Sequence, residues 1–369
     1  MTSIAEVARR AGVSIATASR VLTATDYPVS APTRQRVLDA ASALDYVPNA
    51  LARGLLKRQV PVVGVIVHDI TDPYFSEVVR GVEDAASPAG YLVITCSSDR
   101  DPAQENSYVR LLRSMRAAAV IFAGSGIDDA ARNEELGRHL AGIRDNGSAV
   151  VHLSPHAFGA PEVGVDNASG MAAMVRALVQ LGHRRIGFLA GPATLYVARE
   201  RLDGYRRALR TARIPFDRHL VAESPFDREG GAAAVEVLLR AAPDVTAVCC
   251  ANDLLAIGAL GRLAELGIDV PRRMSVTGVD DVSLAAMTSP GLSTVRIPLR
   301  ELGRRAFAVA VSQLAGEATA PIRLPTEVVL RDSTAPPHDL APDAPGERPA
   351  VAAGGSATPL SGEGAAPGR

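Results

Sequence analysis

The sequence predicts an all-α module joined to an α/β core of doubly wound parallel sheet. Three observations carry this. Residues 1–60 show helical periodicity throughout. From about 61 to 330, short Val- and Ile-rich runs alternate with amphipathic stretches. Strand alternating with helix at this spacing builds a doubly wound sheet. Beyond 333, large apolar residues almost vanish.

The chain opens with TSIAEVARRAGVSIATASRVL. Ser3 and Glu6 have capping-box spacing ahead of the stripe Ile4, Val7, Ala8 and Ala11. Gly12 suits a left-handed turn. Ser14 is placed to cap a second helix whose inward face is Ala18, Val21 and Leu22. Small residues at a close crossing, Gly in the turn and a short polar outer face make a helix-turn-helix pattern. That outer face is Ile15, Ala16, Thr17, Ser19 and Arg20, with no acid between Glu6 and Asp26. Carboxylates would repel phosphates in a major groove, whereas Ser, Thr and Arg donate to them. An ordinary helical hairpin has the same outline, so the pattern alone leaves both readings open. A third helix follows in VSAPTRQRVLDAASALDYVPN, with Ser30 as cap and Val37, Leu38, Ala41 and Leu44 as its buried face. Pro48 stops it, and a short helix NALARGLL follows.

In the core, VVGVIV (62–67), YLVITC (91–96), AAVIFA (118–123), AVVHL (149–153), RIGFLA (185–190), VTAVCCA (245–251) and MSVTGV (274–279) have the pattern of buried parallel strands. Ligands bind such sheets outside the carboxyl ends of the strands. Two sheets side by side would enclose a cleft. The tail, 334–369, has 22 Ala, Pro or Gly among its 36 residues and is expected to be disordered.

Net charge is −1, but residues 1–60 carry eight Lys/Arg against four acids. A basic head on an acidic body points to nucleic acid. Cys96, Cys249 and Cys250 form neither a disulfide framework nor a metal spacing, and suit buried thiols in a reducing compartment. The N-terminus lacks a signal-peptide pattern, and no apolar run approaches the roughly 18 residues of a membrane span. A cytoplasmic protein is expected. AGSG (123–126) lacks the lysine of a phosphate loop. His152 and His156 lack a third ligand at zinc spacing. No catalytic residue, cofactor or metal is expected, and no enzyme.

The stretch IAEVARRAGVSIATASRVL with VSAPTRQRVLDAASALDYVPNALARGL resembles the headpiece and hinge of the lactose-repressor (LacI/GalR) family of bacterial transcription regulators. VGVIVHDITDPYFSEVVRGVEDAA, LGHRRIGFLAGP, ARERLDGYRRAL, CCANDLLAIGAL and MSVTGVDD extend the likeness across residues 3–332. The resemblance implies a headpiece (1–47), a hinge helix and linker (48–60) and a periplasmic-binding-protein-like core (61–333) of two doubly wound subdomains joined by three crossovers. It implies a homodimer on pseudo-palindromic double-stranded operator DNA, repression as the default, and a small-molecule effector, by family habit a sugar or nucleoside.

Base reading would fall on Ile15, Ala16 and Arg20, the arginine gripping guanine O6 and N7. Ser14, Thr17, Ser19 and Asn49 would meet phosphates. In the hinge, Ala52-Arg53-Gly54-Leu55 stands where the family has Ala-Arg-Ser-Leu, and Leu55 would wedge a base step. Thr23 stands where Asn is common, and TATDYPVS is one residue longer than the usual turn. Effector contacts would come from Tyr74, Phe75, Ser154, Arg201, Phe226, Asn252 and Asp280. Phe75 could also be core, the lesser reading, while Asp253 suits a helix cap and Asp281 a structural role. Ser154 replaces an Asp common in the family, and Leu299 a later aromatic. A periplasmic binding protein would share the core but carry a signal peptide and no headpiece.

Overall fold

The computed structural model describes residues 3–22, 28–46 and 59–338. The N-terminal module holds α1 (Ile4–Ala11), α2 (Ile15–Leu22) and α3 (Ala31–Ala43). Ser3 Oγ accepts from the Glu6 amide, and Glu6 Oε2 accepts from the Ser3 amide at 2.8 Å. Gly12 adopts φ +65°, a left-handed turn that side chains disfavour. Ser14 Oγ accepts from the Thr17 amide at 3.1 Å and caps α2. Val7, Ala18 and Val37 close a small core of Val and Ala side chains.

Two local expectations fail. Leu38 is 44% exposed, because the inward stripe of α3 runs through Val37, Ala40 and Ala41 and passes it by. Ser30 makes no cap bond to the backbone. Its hydroxyl donates instead to Thr33 Oγ1 at 2.9 Å.

The first sheet has the order β2-β1-β3-β4, all parallel. Its strands are β1 (Val60–Val67), β2 (Leu92–Ser97), β3 (Ala117–Phe122) and β4 (Ala149–His152). β1 starts at Val60, within the expected linker, because the Val60 amide donates to the Arg116 carbonyl. Helices α4 (Pro73–Ala86), α5 (Pro102–Ser114) and α6 (Ala130–Asp145) cover it. Val62 and Ile66 pack with Leu112, Leu136 and Leu140 on one face, and Val63, Val65 and Val67 pack on the other. Burial on both faces gives β1 its unbroken apolar run.

The second sheet has the order β12-β10-β9-β8-β6-β7, with β12 antiparallel and the rest parallel. It is built from β6 (Ile186–Ala190), β7 (Val221–Glu223), β8 (Ala247–Cys250), β9 (Ser275–Asp280), β10 (Ser293–Arg296) and β12 (Glu327–Val329). Its helices are α7 (Asn167–Gln180), α8 (Tyr196–Thr211), α9 (Arg228–Ala241) and α10 (Asp253–Glu265). A parallel pair, β5 (Val163–Val165) and β11 (Ile322–Leu324), lies on two of the three crossings between subdomains. The remaining crossing leads from β10 into α11 (Leu299–Leu314), which returns to pack on α4, β3 and β4. A side chain at Gly81 of α4 would collide with the Arg300 carbonyl, and one at Gly303 with that of Val78, so these helices touch backbone to backbone.

The core also extends past 333. The Ser333 hydroxyl donates to the Val276 carbonyl at 2.6 Å. The Ala335 amide donates to Ser275 Oγ, and its carbonyl accepts from that hydroxyl, both at 3.1 Å. His183 Nε2 meets the same carbonyl at 2.9 Å. The expected disordered tail therefore begins too early at 334. The Ser275 hydroxyl and the His183 ring hold Ala335 despite its weak composition. Residues 339–369 lie outside the described residues.

Candidate functional site

The carboxyl ends of β1 to β4 face those of the second sheet across a cleft of about 50 Å³. Tyr74, Phe75, Ser154, Arg201, Phe226, Asn252 and Asp280 all line it. Each reaches it for a local reason. Asp72 caps α4, its carboxylate accepting from the Tyr74 amide at 2.9 Å, so the first turn of that helix points Tyr74 and Phe75 inward. Their rings meet edge to face at 5.0 Å. Phe75 resolves as both core and wall, only 5% exposed yet lining the cavity. Ser154 follows β4, and its carbonyl accepts from Nδ1 of His152 at 2.7 Å and of His156 at 2.8 Å. Those histidines thus brace a loop. Among the described residues no three metal-ligating side chains cluster.

Arg201 lies at the centre. It sits on α8 and is 5% exposed. Its guanidinium donates to Asp280 Oδ1 at 3.1 Å, to Asn167 Oδ1 at 3.2 Å and to the Ala251 carbonyl. Asp280 ends β9 at φ +118°, a strained position for any residue but Gly. Burial pushes its carboxyl up to about 7, while Arg201 pulls the other way. Asn252 caps α10, its side chain accepting from the Leu255 amide at 2.9 Å. Asp253 was expected to be the cap. It is instead a buried tie that accepts from Thr294 Oγ1 at 2.6 Å and from the Val282 amide at 2.9 Å. Asp281 pairs with Arg296 at 2.7 Å and Arg331 at 2.6 Å, a structural role.

Sequence reasoning missed several lining residues, including His68, Asp72, Arg100, Gly124 and Ser125. Each lies just past β1, β2 or β3 in the chain, so the carboxyl-end rule alone could have found them.

On the N-terminal module, Ser14, Ile15, Ala16 and Arg20 are exposed on α2 and its cap, and Thr17 and Ser19 are half-buried. The Ser14 and Thr17 hydroxyls share a hydrogen bond of 2.8 Å. The first turn of α2 holds no acid. Asn49, Ala52 and Leu55 lie outside the described residues.

Known proteins agree with this architecture. Residues 3–49 match the bacterial regulatory proteins of the lacI family, and residues 175–334 match a periplasmic binding protein-like domain. The transcriptional repressor CytR of Escherichia coli K12 is 34% identical over 331 residues, covering 89% of this chain and 95% of that one. The chain belongs to the LacI family of bacterial regulatory proteins. Its LacI-type headpiece makes it a DNA-binding transcription regulator rather than an enzyme. The regulator DegA of Bacillus subtilis is 32% identical, covering 91% of this chain and 98% of that one. A lac repressor dimer bound to operator and an anti-inducer superposes with TM-score 0.79 at 26% identity, over 90% of this chain and 99% of that one. The LacI-family fold also appears in a CelR–cellobiose complex, with TM-score 0.66, 31% identity and coverage of 90% of this chain and 100% of that one. Among the described residues, no helix is long and apolar enough to cross a membrane.

Proposed function

We propose that this regulator is a cytoplasmic repressor, a homodimer on a pseudo-palindromic operator, released or recruited by a sugar or nucleoside in the Arg201 cleft. The observation that carries this reading is the meeting of Arg201, Asp280, Asn252 and Ser154 with the Tyr74, Phe75 and Phe226 rings in one cavity. Flat aromatic faces suit a ring, and forked or charged donors suit its oxygens. Ile15, Ala16 and Arg20 read bases, Ser14, Thr17, Ser19 and Asn49 hold phosphates, and Ala52 and Leu55 enter the minor groove. Effector and operator binding are then coupled reciprocally, by about 1–3 kcal/mol.

Arg201→Lys keeps a charge beside Asp280 but cannot reproduce the forked contacts. With a ligand found by thermal-shift screening, operator affinity of this variant should no longer respond, while DNA binding without ligand persists. A variant that responds at the wild-type ligand concentration moves the effector site elsewhere.

A further inference from the structure

Helix α8 carries Arg201, yet it has no cap of its own. The first N–H groups of a helix find no acceptor within it, and Leu195, the residue before α8, offers no side-chain bond. The opposite subdomain supplies the acceptors. The Tyr196 amide donates to the Gly126 carbonyl at 3.3 Å, and the Val197 amide to Ser125 Oγ at 3.2 Å. The Asp128 amide donates back to the Thr194 carbonyl at 2.8 Å, so Ile127 and Leu195 face one another as an antiparallel bridge. Arg199 donates from Nε to the Ala193 carbonyl at 2.6 Å, within its own subdomain. Its Nη1 reaches across to Asp128 Oδ2 at 2.5 Å. The carboxylate of Asp128 also suits the positive end of the α8 dipole. Asn133 on α6 backs this loop, donating to the Ile127 carbonyl at 2.9 Å.

Among the described residues, the hydrogen bonds that join the two subdomains away from the crossovers gather at this one place. Ser125, Leu195 and Val197 also line the cleft. At about 50 Å³, that cleft is far smaller than the roughly 300–1,000 Å³ of ordinary small-molecule pockets. A ring-sized ligand therefore enters only when the walls part. The Asp128 and Arg199 side chains are each 48% exposed, so water and salt screen their attraction. The pair is weak enough to open.

We propose that residues 125–128 and 194–199 form a latch, which closes the cleft by capping α8 from the opposite subdomain and sets the closed fraction of the regulator. Opening the latch bares the first turn of α8, little more than one turn before Arg201. Closure of the cleft and the seating of Arg201 are then one event. The latch itself needs no effector, while its bearing on DNA rests on the switch argued above.

The test uses the full chain and amide hydrogen exchange. Raising NaCl from about 0.05 to about 0.5 M should speed exchange of the Tyr196 and Val197 amides by about two- to fivefold. The Leu195 amide, which donates to the Pro192 carbonyl inside its own loop, should not change. Asp128→Asn should show the faster exchange already at low salt and no further response to salt. Residues facing across an antiparallel bridge have Cα atoms about 4.5–5.5 Å apart, within disulfide range. Ile127→Cys with Leu195→Cys should therefore lock on mild oxidation, with the native Cys96, Cys249 and Cys250 buried out of reach. Asp128→Asn and the lock should shift affinity for a DNA selected in vitro by the wild-type protein in opposite directions, each by about twofold or more.

Exchange at Tyr196 that ignores salt overturns the latch. So does equal speeding at Leu195, since the loop then loosens by itself, and so does a cysteine pair that fails to join. Affinity shifts of the same sign, or none, alongside the expected exchange results overturn the control of DNA binding, which separates the two failures.

Discussion

On the second-sheet wall of the cleft, Arg201 donates to Asp280, Asn167 and Ala251, and Asn252 caps a helix. On the facing wall, the buried Arg100 Nε and the His68 ring nitrogens make no side-chain hydrogen bond, while Phe75 packs edge-on to the imidazole and Phe226 faces the guanidinium. The second-sheet wall is organised before any ligand arrives, so it costs little to use. The first-sheet wall gives up stability that only a correctly shaped partner returns. On the proposed reading of the cleft, discrimination between ligands would fall to the wall with unpaired atoms, because a wrong ligand leaves them unpaired still.

The largest test strikes the paired wall. Arg201→Ala takes away the cation that holds the Asp280 carboxyl down, so at pH 8 that group must stay charged without a partner or take up a proton, and urea unfolding should show a loss of up to about 3–5 kcal/mol. At pH 5 the cost should shrink, because Asp280, raised to about 7, is then protonated. A pH-independent loss would show that packing, not charge, is at stake.

A middle-sized effect should come from the support of the other wall. Gly303→Ala pushes α11 off α4, the helix that presents Tyr74 and Phe75. Overpacking of this kind costs about 1–3 kcal/mol. Unchanged stability would mean that the two helices can slide apart freely.

The smallest effect is a pH slope. His68 and His156 both lie near 3 because burial disfavours their charged forms. Folded values below the ordinary 6.5 mean that their contribution is complete above that pH and drains away as pH falls toward 3. Between pH 6.5 and 5.5 each should cost about 1 kcal/mol. His68→Phe should flatten this limb of the melting curve, and an unaltered slope would mean that the ring is protonated in the fold.

The sequence made the paired wall legible and the unpaired one obscure, for a physical reason. Asn252 and Asp280 close strongly apolar strands and Arg201 sits inside the matched helical motif ARERLDGYRRAL, so their places could be read. His68 and Arg100 carry no pattern of their own, and their meaning depends on which partners they lack in space. Short strands such as β5, β7 and β11, three residues each, also escaped, because periodicity needs more length than they offer. Leu38 was misplaced because an apolar residue one step off the stripe looks the same in one dimension. Ala335 was missed because bonds from its backbone to the distant Ser275 and His183 side chains leave no mark in local composition.

The path of α11 also decides how the chain must be made. This helix covers the first sheet but follows every strand of the second except β12. On the ribosome, chain emerges at about 5–20 residues per second. The apolar flank of α4 must therefore wait, uncovered, while nearly the whole second subdomain is synthesised. Neither subdomain is a contiguous stretch of gene, so neither can be cut out or exchanged as one. A nascent chain stalled before residue 299 should expose that flank and be held by chaperones, whereas one stalled after residue 338 should escape them.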